Sequence, residues 1–122
     1  MTKARARGER GAVTAELAMG LPLLLAITVG LAWLLGVGTA QVRAVDAARE
    51  SARAIARGDT EADAVAVGRA VAPASARISV AREAGRVVVR VRATVSGPGG
   101  LFDAFPDAEV SAEAVALVEE DS

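Results

Sequence analysis

The residue with the most to do in this sequence is Glu16. It stands at the head of residues 17–40, a stretch without a single charge, and Ala12-Val13-Thr14-Ala15 separate it from Gly11. Upstream, Lys3, Arg5, Arg7 and Arg10 crowd together with only Glu9 against them. A carboxylate at the edge of a bilayer is costly unless something neutralises it. Two readings fit that position. In one, Glu16 lies in a first helical turn, where the helix dipole favours an acid. In the other, the stretch is a class III signal: a membrane peptidase cuts after Gly11 and Ala12 becomes the new N-terminus. Glu16, fifth residue of the mature chain, then pairs with the amine of a neighbouring subunit in an assembled filament. Both readings need the same element behind Glu16, a long apolar helix.

Residues 17–40 supply it. Their twenty-four positions make roughly 36 Å of helix, against about 30 Å of bilayer hydrocarbon. That is long enough to span with some tilt. Pro22 falls in the second turn after Glu16, removes one backbone hydrogen bond and should kink or loosen the helix between Met19 and Leu23. The leader, residues 1–11, reads as the basic end of a membrane-targeting signal, with Gly8 and Gly11 expected to break any helix there. Its dense basic charge favours a cytoplasmic N-terminus, although Arg43, Arg49, Arg53 and Arg57 follow the span. Small residues recur at every fourth position, from Thr28, Ala32 and Gly36 through Ala40, Ala44, Ala48, Ala52 and Ala56. In a membrane such a ladder allows close helix approach; the abundance of Ala throughout the chain also produces it.

Composition excludes a good deal. The chain of 122 residues has no Cys and no His, which removes disulfides, thiol nucleophiles, imidazole bases and the usual zinc ligands. With two Phe, one Trp and no Tyr it lacks the aromatics that stack single-stranded nucleic acid. From Ala12 onward there are ten basic and fourteen acidic residues, a balance against a general grip on nucleic acid. Ser and Thr stand without His, no Lys follows Lys3, and the carboxylates form no pair at a readable spacing. Neither an enzyme, nor a cofactor or metal site, nor a small-molecule substrate is expected.

Residues 9 to 25, Glu-Arg-Gly-Ala-Val-Thr-Ala-Glu-Leu-Ala-Met-Gly-Leu-Pro-Leu-Leu-Leu, resemble the opening of TadE-like minor pilins of tight-adherence (type IVb) pilus systems. The family pattern is a short basic leader, a Gly, a Glu five residues on, and an apolar helix with an early Pro; here these are Gly11, Glu16 and Pro22. The resemblance extends to about Asp59. Some members carry an aromatic residue directly after the Glu, where this chain has Leu17. The resemblance implies processing between Gly11 and Ala12 by a prepilin-type peptidase, with Glu16 serving recognition and assembly. It implies a membrane location and, as partners, other pilins or pseudopilins and the pilus assembly machinery.

Beyond the span, residues 41–57 continue the helix, with Val42, Val45, Ala52 and Ile55 near one face. Asp46–Arg49 and Glu50–Arg53 are favourable pairs, and Gly58-Asp59 is the stop. Thr60-Glu-Ala-Asp63 has the form of a capping box opening a second helix through Ala62, Val65, Val67 and Val71, which ends before Pro73. The period then changes to two. Residues 77–82 alternate, Glu83-Ala-Gly-Arg86 is a turn, and Val87, Val89, Val91, Ala93 and Val95 face one way against Val88, Arg90, Arg92 and Thr94. The Arg row reads as a solvated face that blocks edge pairing. Residues 96–100 form a loop, and Phe102 and Phe105 are expected to lie on the sheet. Residues 108–118 make a third strand, its acids opposite Arg90 and Arg92.

The expected fold is α+β and membrane-anchored: a long N-terminal helix, a short second helix and a small antiparallel sheet of about three strands. The leader is residues 1–11, the pilin-like helix residues 12–58 and the small extracytoplasmic domain residues 59–122. Three functions compete: a minor pilin or pseudopilin of a tight-adherence apparatus; an unprocessed single-pass signal-anchor protein acting as scaffold or regulator; and an exported domain cut after Gly38-Thr39-Ala40. Each predicts its own N-terminus, Ala12, Met1 or Gln41. The first alone predicts the spacing of Gly11 and Glu16. It places the protein in the cytoplasmic membrane with the C-terminal domain outside, or on the pilus and cell surface after processing.

Overall fold

The computed structural model describes residues 2–99 and 107–119, with side chains from residue 7 onward. The elements in order are α1 (Thr2–Ala56), α2 (Glu61–Val71), β1 (Arg77–Glu83), β2 (Arg86–Val95) and β3 (Ala108–Leu117). The expected architecture of one long helix, one short helix and a three-stranded antiparallel sheet is the observed one. The expected positions of Phe102 and Phe105 lie outside the described residues.

Helix α1 begins earlier than the sequence reading allowed. It runs through Gly8 and Gly11 without interruption, correcting the expectation that these glycines break the leader. A helical Gly costs about 1 kcal/mol relative to Ala, which weakens a helix without forbidding it, and no Pro stands before Pro22. At Pro22 the helix also continues, although the ring leaves the carbonyl four residues earlier, on Ala18, without its usual donor. The hydroxyls of Thr28 and Thr39 donate back to the carbonyls of Leu24 and Leu35, at 2.9 and 3.0 Å. Both hydroxyls of this apolar stretch are thereby satisfied within the helix.

The end of α1 is set by Gly58, whose φ of +96° lies in the left-handed region that a side chain disfavours. Gly58 N–H donates to Ile55 C=O and Asp59 N–H to Ala54 C=O, each at 3.0 Å. This double closure is a Schellman motif. One residue later Thr60 caps α2, its hydroxyl accepting from Asp63 N–H at 3.2 Å. The chain therefore turns back within three residues and lays α2 against α1.

The sheet order is β1-β2-β3, all antiparallel. Ala84 and Gly85, both at positive φ, form the two-residue turn that matches strand twist. On the inner face Val87, Val89 and Val91 are fully buried, with Ala93, Val110 and Ala116 beside them. Burying each valine contributes roughly 1.5–3 kcal/mol. Arg90 meets Glu113 directly across the strands, at 3.0 Å; Arg92 faces Ser111 instead. The expected opposition of charges thus holds for one arginine of the two. Val88, assigned by alternation to the outer face, is nonetheless buried, lying in register between Ala81 and Val115.

Against the inner face packs the second half of α1. Ala40, Ala44, Ala47, Ala48, Ser51, Ala52, Ala54 and Ile55 are buried there. Val42, expected on the buried face, is 60% exposed, because the stripe that meets the sheet and α2 is the alanine one. Alanines let backbone approach backbone, and Val42, two positions from both Ala40 and Ala44, points away. In α2 the buried residues are Ala64 and Gly68 rather than Val67, for the same reason. A Cβ at Gly68 would run into Ser51 Oγ, with Ile78 Cδ1 and Ala47 C=O also close. Ser51 Oγ donates to Ala64 C=O at 2.9 Å, which satisfies the one buried polar side chain of this contact.

Candidate processing and assembly site

The four residues singled out by their chemistry, Gly11, Ala12, Glu16 and Pro22, all lie on α1, and all are exposed. Ala12 and Glu16 are four positions apart, so they share one helix face. Gly11 and Glu16 are five apart and lie about 140° from each other around the axis. Among the described residues Glu16 has no ion-pair partner. Its nearest basic neighbours on the N-terminal side, Arg10 and Arg7, stand six and nine residues away, about 1.7 and 2.5 turns. The structure therefore holds a lone carboxylate on a helix that, from Leu17 to Leu35, exposes many large apolar side chains.

That helix carries one segment long and apolar enough to cross a membrane, and none of it is buried within the chain. Met19 is 79% exposed and Leu35 is 74% exposed. Exposed apolar surface on this scale marks a partner or lipid contact. Of the ladder of small residues, Ala40, Ala44, Ala48 and Ala52 are buried in this chain's own core, whereas Thr28, Ala32 and Gly36 remain exposed. The later half of the ladder therefore packs a sheet, not another membrane helix.

Two contacts tie the start of the folded domain to the apolar segment. Trp33 Nε1–H donates to Ser96 C=O at 2.9 Å. Gln41 Nε2–H donates to Ser111 C=O, also at 2.9 Å. Val37, between them, packs against the core. The sequence reading missed this junction. The signal it could have used is that Trp33 is the single Trp of the chain and Gln41 the first residue with a long polar side chain after the apolar run. Expected helix pairs fared unevenly: Glu50 meets Arg53 at 2.9 Å, while Asp46–Arg49 is not among the ion pairs of the described residues. An open groove between α1 and β3, lined by Arg49, Ala52, Arg53, Ala56 and the end of β3, carries no acid–base pair. Among the described residues no three carboxylates gather closely enough to hold a metal ion.

Compared with known proteins, the chain matches neither a curated protein nor a solved structure. A family model does match. It is that of the TadE-like protein, over residues 11–53, the stretch from Gly11 through the apolar segment to the alanine stripe. This is the family that the Gly11, Glu16 and Pro22 pattern resembles, and it supports a protein associated with a Tad pilus. Over these residues of α1 the chain is similar to the TadE-like family.

Proposed function

We propose that this protein is a minor pilin or pseudopilin of a tight-adherence pilus or secretion apparatus. A prepilin-type peptidase removes residues 1–11, and the apolar half of α1 then assembles with other pilins. The protein crosses the cytoplasmic membrane once, N-terminus inside, and presents the α+β domain outside. Its role is structural and not enzymatic, without cofactor, small-molecule or nucleic-acid partners. The observation that carries this reading is the Gly11-to-Glu16 spacing at the head of an unburied apolar helix, inside the TadE-like match.

Chemistry supports each step. Cleavage needs an accessible, extended peptide bond, and Gly11–Ala12 lies in an exposed part of α1 that two glycines make easy to unwind. The freed α-amine of Ala12 then sits next to the membrane, within reach of the Glu16 carboxylate of a neighbouring subunit, and each charge relieves the other. A cut after Ala40 is disfavoured, because Ala40 is buried in the core and Gln41 is bonded to β3. The test is N-terminal mass mapping of the membrane-associated protein from cells with and without the cognate peptidase. A peptide starting at Ala12 only when the peptidase is present is the expected result. A Met1 start in both strains leaves a signal-anchor protein, and a Gln41 start leaves an exported domain.

A further inference from the structure

We infer that the outer membrane boundary of this protein lies at Trp33, about two turns before the apolar sequence ends, so that Glu16 sits inside the hydrocarbon and not at its edge. The inference rests on the membrane reading above and adds its register. Hydropathy alone centres the span on residues 28–29, the midpoint of residues 17–40. The fold does not permit that placement. The indole N–H of Trp33 is bonded to Ser96 C=O at the end of β2, Val37 and Ala40 are packed against the sheet, and Gln41 is bonded to Ser111 on β3. Whatever depth residues 33–41 occupy, the lower end of the sheet occupies too.

A sheet with two open edges cannot enter hydrocarbon, because its unpaired N–H and C=O groups find no partner there. Strands β1 and β3 are both edges. Asp107 and Glu109 stand exposed at the start of β3, and Glu109 lies opposite Thr94 at the end of β2. The hydrocarbon must therefore end on the N-terminal side of Trp33. An indole at that level, half-buried and bonded through its N–H, has the character of an interfacial anchor. Counting back from Trp33, about 30 Å of hydrocarbon takes about 20 residues, which reaches Val13. Arg10 lies just beyond and is exposed. Between Arg10 and Trp33 the one charged residue is Glu16. It falls one turn inside the inner boundary, where an unpaired carboxylate is unfavourable. Leu34, Leu35 and Val42 are then exposed above the lipid, on the side away from the sheet.

Because Trp33 is the single Trp, the unmodified full-length chain can be tested directly. It is reconstituted into vesicles of phosphatidylcholine and phosphatidylglycerol brominated either near the headgroup end or near the middle of the acyl chain. The expected result is stronger quenching of Trp33 by the shallow bromines. Stronger quenching by the deep bromines would overturn the inference while leaving a membrane protein. Single-cysteine variants of this cysteine-free chain, carrying a nitroxide at Leu21, Thr28 or Leu35, give a second readout. Leu21 should be the deepest site and Leu35 accessible to a water-soluble relaxation agent; a deepest site at Thr28 would also overturn the register. No quenching by either lipid, with all three sites water-accessible, would instead refute the membrane reading itself.

Discussion

The two halves of α1 use apolar residues in opposite ways. From Leu17 to Leu35 the leucines, Met19 and Ile27 point outward, and none of the best membrane window is buried in the chain. From Ala40 to Ile55 the buried residues are alanines with one serine and one isoleucine, and Ala44 and Ala47 have no exposed surface at all. Size is thus inverted relative to a soluble helix, which turns its large apolar residues toward its own core. The comparison teaches that mean apolarity does not say which half is core. The first half offers area, the character of a surface that meets an apolar solvent or partner. The second half offers proximity, because small side chains let the helix backbone approach the sheet and α2.

Exchanging residue size between the halves tests this most severely. Ala48→Leu, which places in the second half the residue that dominates the first, should destabilise the domain by about 3 kcal/mol through overpacking. Thermal unfolding of the detergent-solubilised protein, followed by circular dichroism, reads the loss. Leu24→Arg acts on the first half alone. It should penalise membrane insertion by about 3 kcal/mol at mid-span, seen as protein lost from the alkali-resistant membrane fraction, while the domain's melting temperature stays where it was. If Leu24→Arg lowered that temperature as well, the two halves would not be separable.

Gly68→Ala comes next. Its Cβ has to displace Ser51 Oγ or part the two helices, at a cost of about 2 kcal/mol. Combining it with Ser51→Ala should restore part of that stability, because the added methyl then takes the place of a hydroxyl; simple additivity in the double-mutant cycle would show that the two sites do not meet. Smaller again is Thr60→Ala, which removes the cap on Asp63 N–H and should cost about 1 kcal/mol. Least of all is Arg90→Ala. The Arg90–Glu113 pair is half exposed on both sides, so its loss should cost below about 1 kcal/mol and vanish in high salt.

What could be read from the sequence is what short-range rules decide. The alternation of Val87, Val89, Val91, Ala93 and Val95, the turn at Ala84 and Gly85, the stop at Gly58 and the cap at Thr60 each depend on neighbours a few positions away. Side-chain period and local hydrogen bonds settle them before any tertiary contact forms. The candidate site was legible for the same reason, since Gly11, Glu16 and Pro22 carry their meaning in spacing along one helix. The tertiary structure decided the remainder. Only the packing of α1 on the sheet selects Ala44 over Val42 for burial, makes Gly68 the contact point of α2, and closes Val88 between Ala81 and Val115. Only the long-range bonds from Trp33 to Ser96 and from Gln41 to Ser111 place the foot of the domain on the apolar helix. Those partners are 63 and 70 positions apart in sequence, and no local period encodes a contact at that distance. Hydropathy is a sum over residues, whereas the depth of a helix in a bilayer also depends on what is attached to its side.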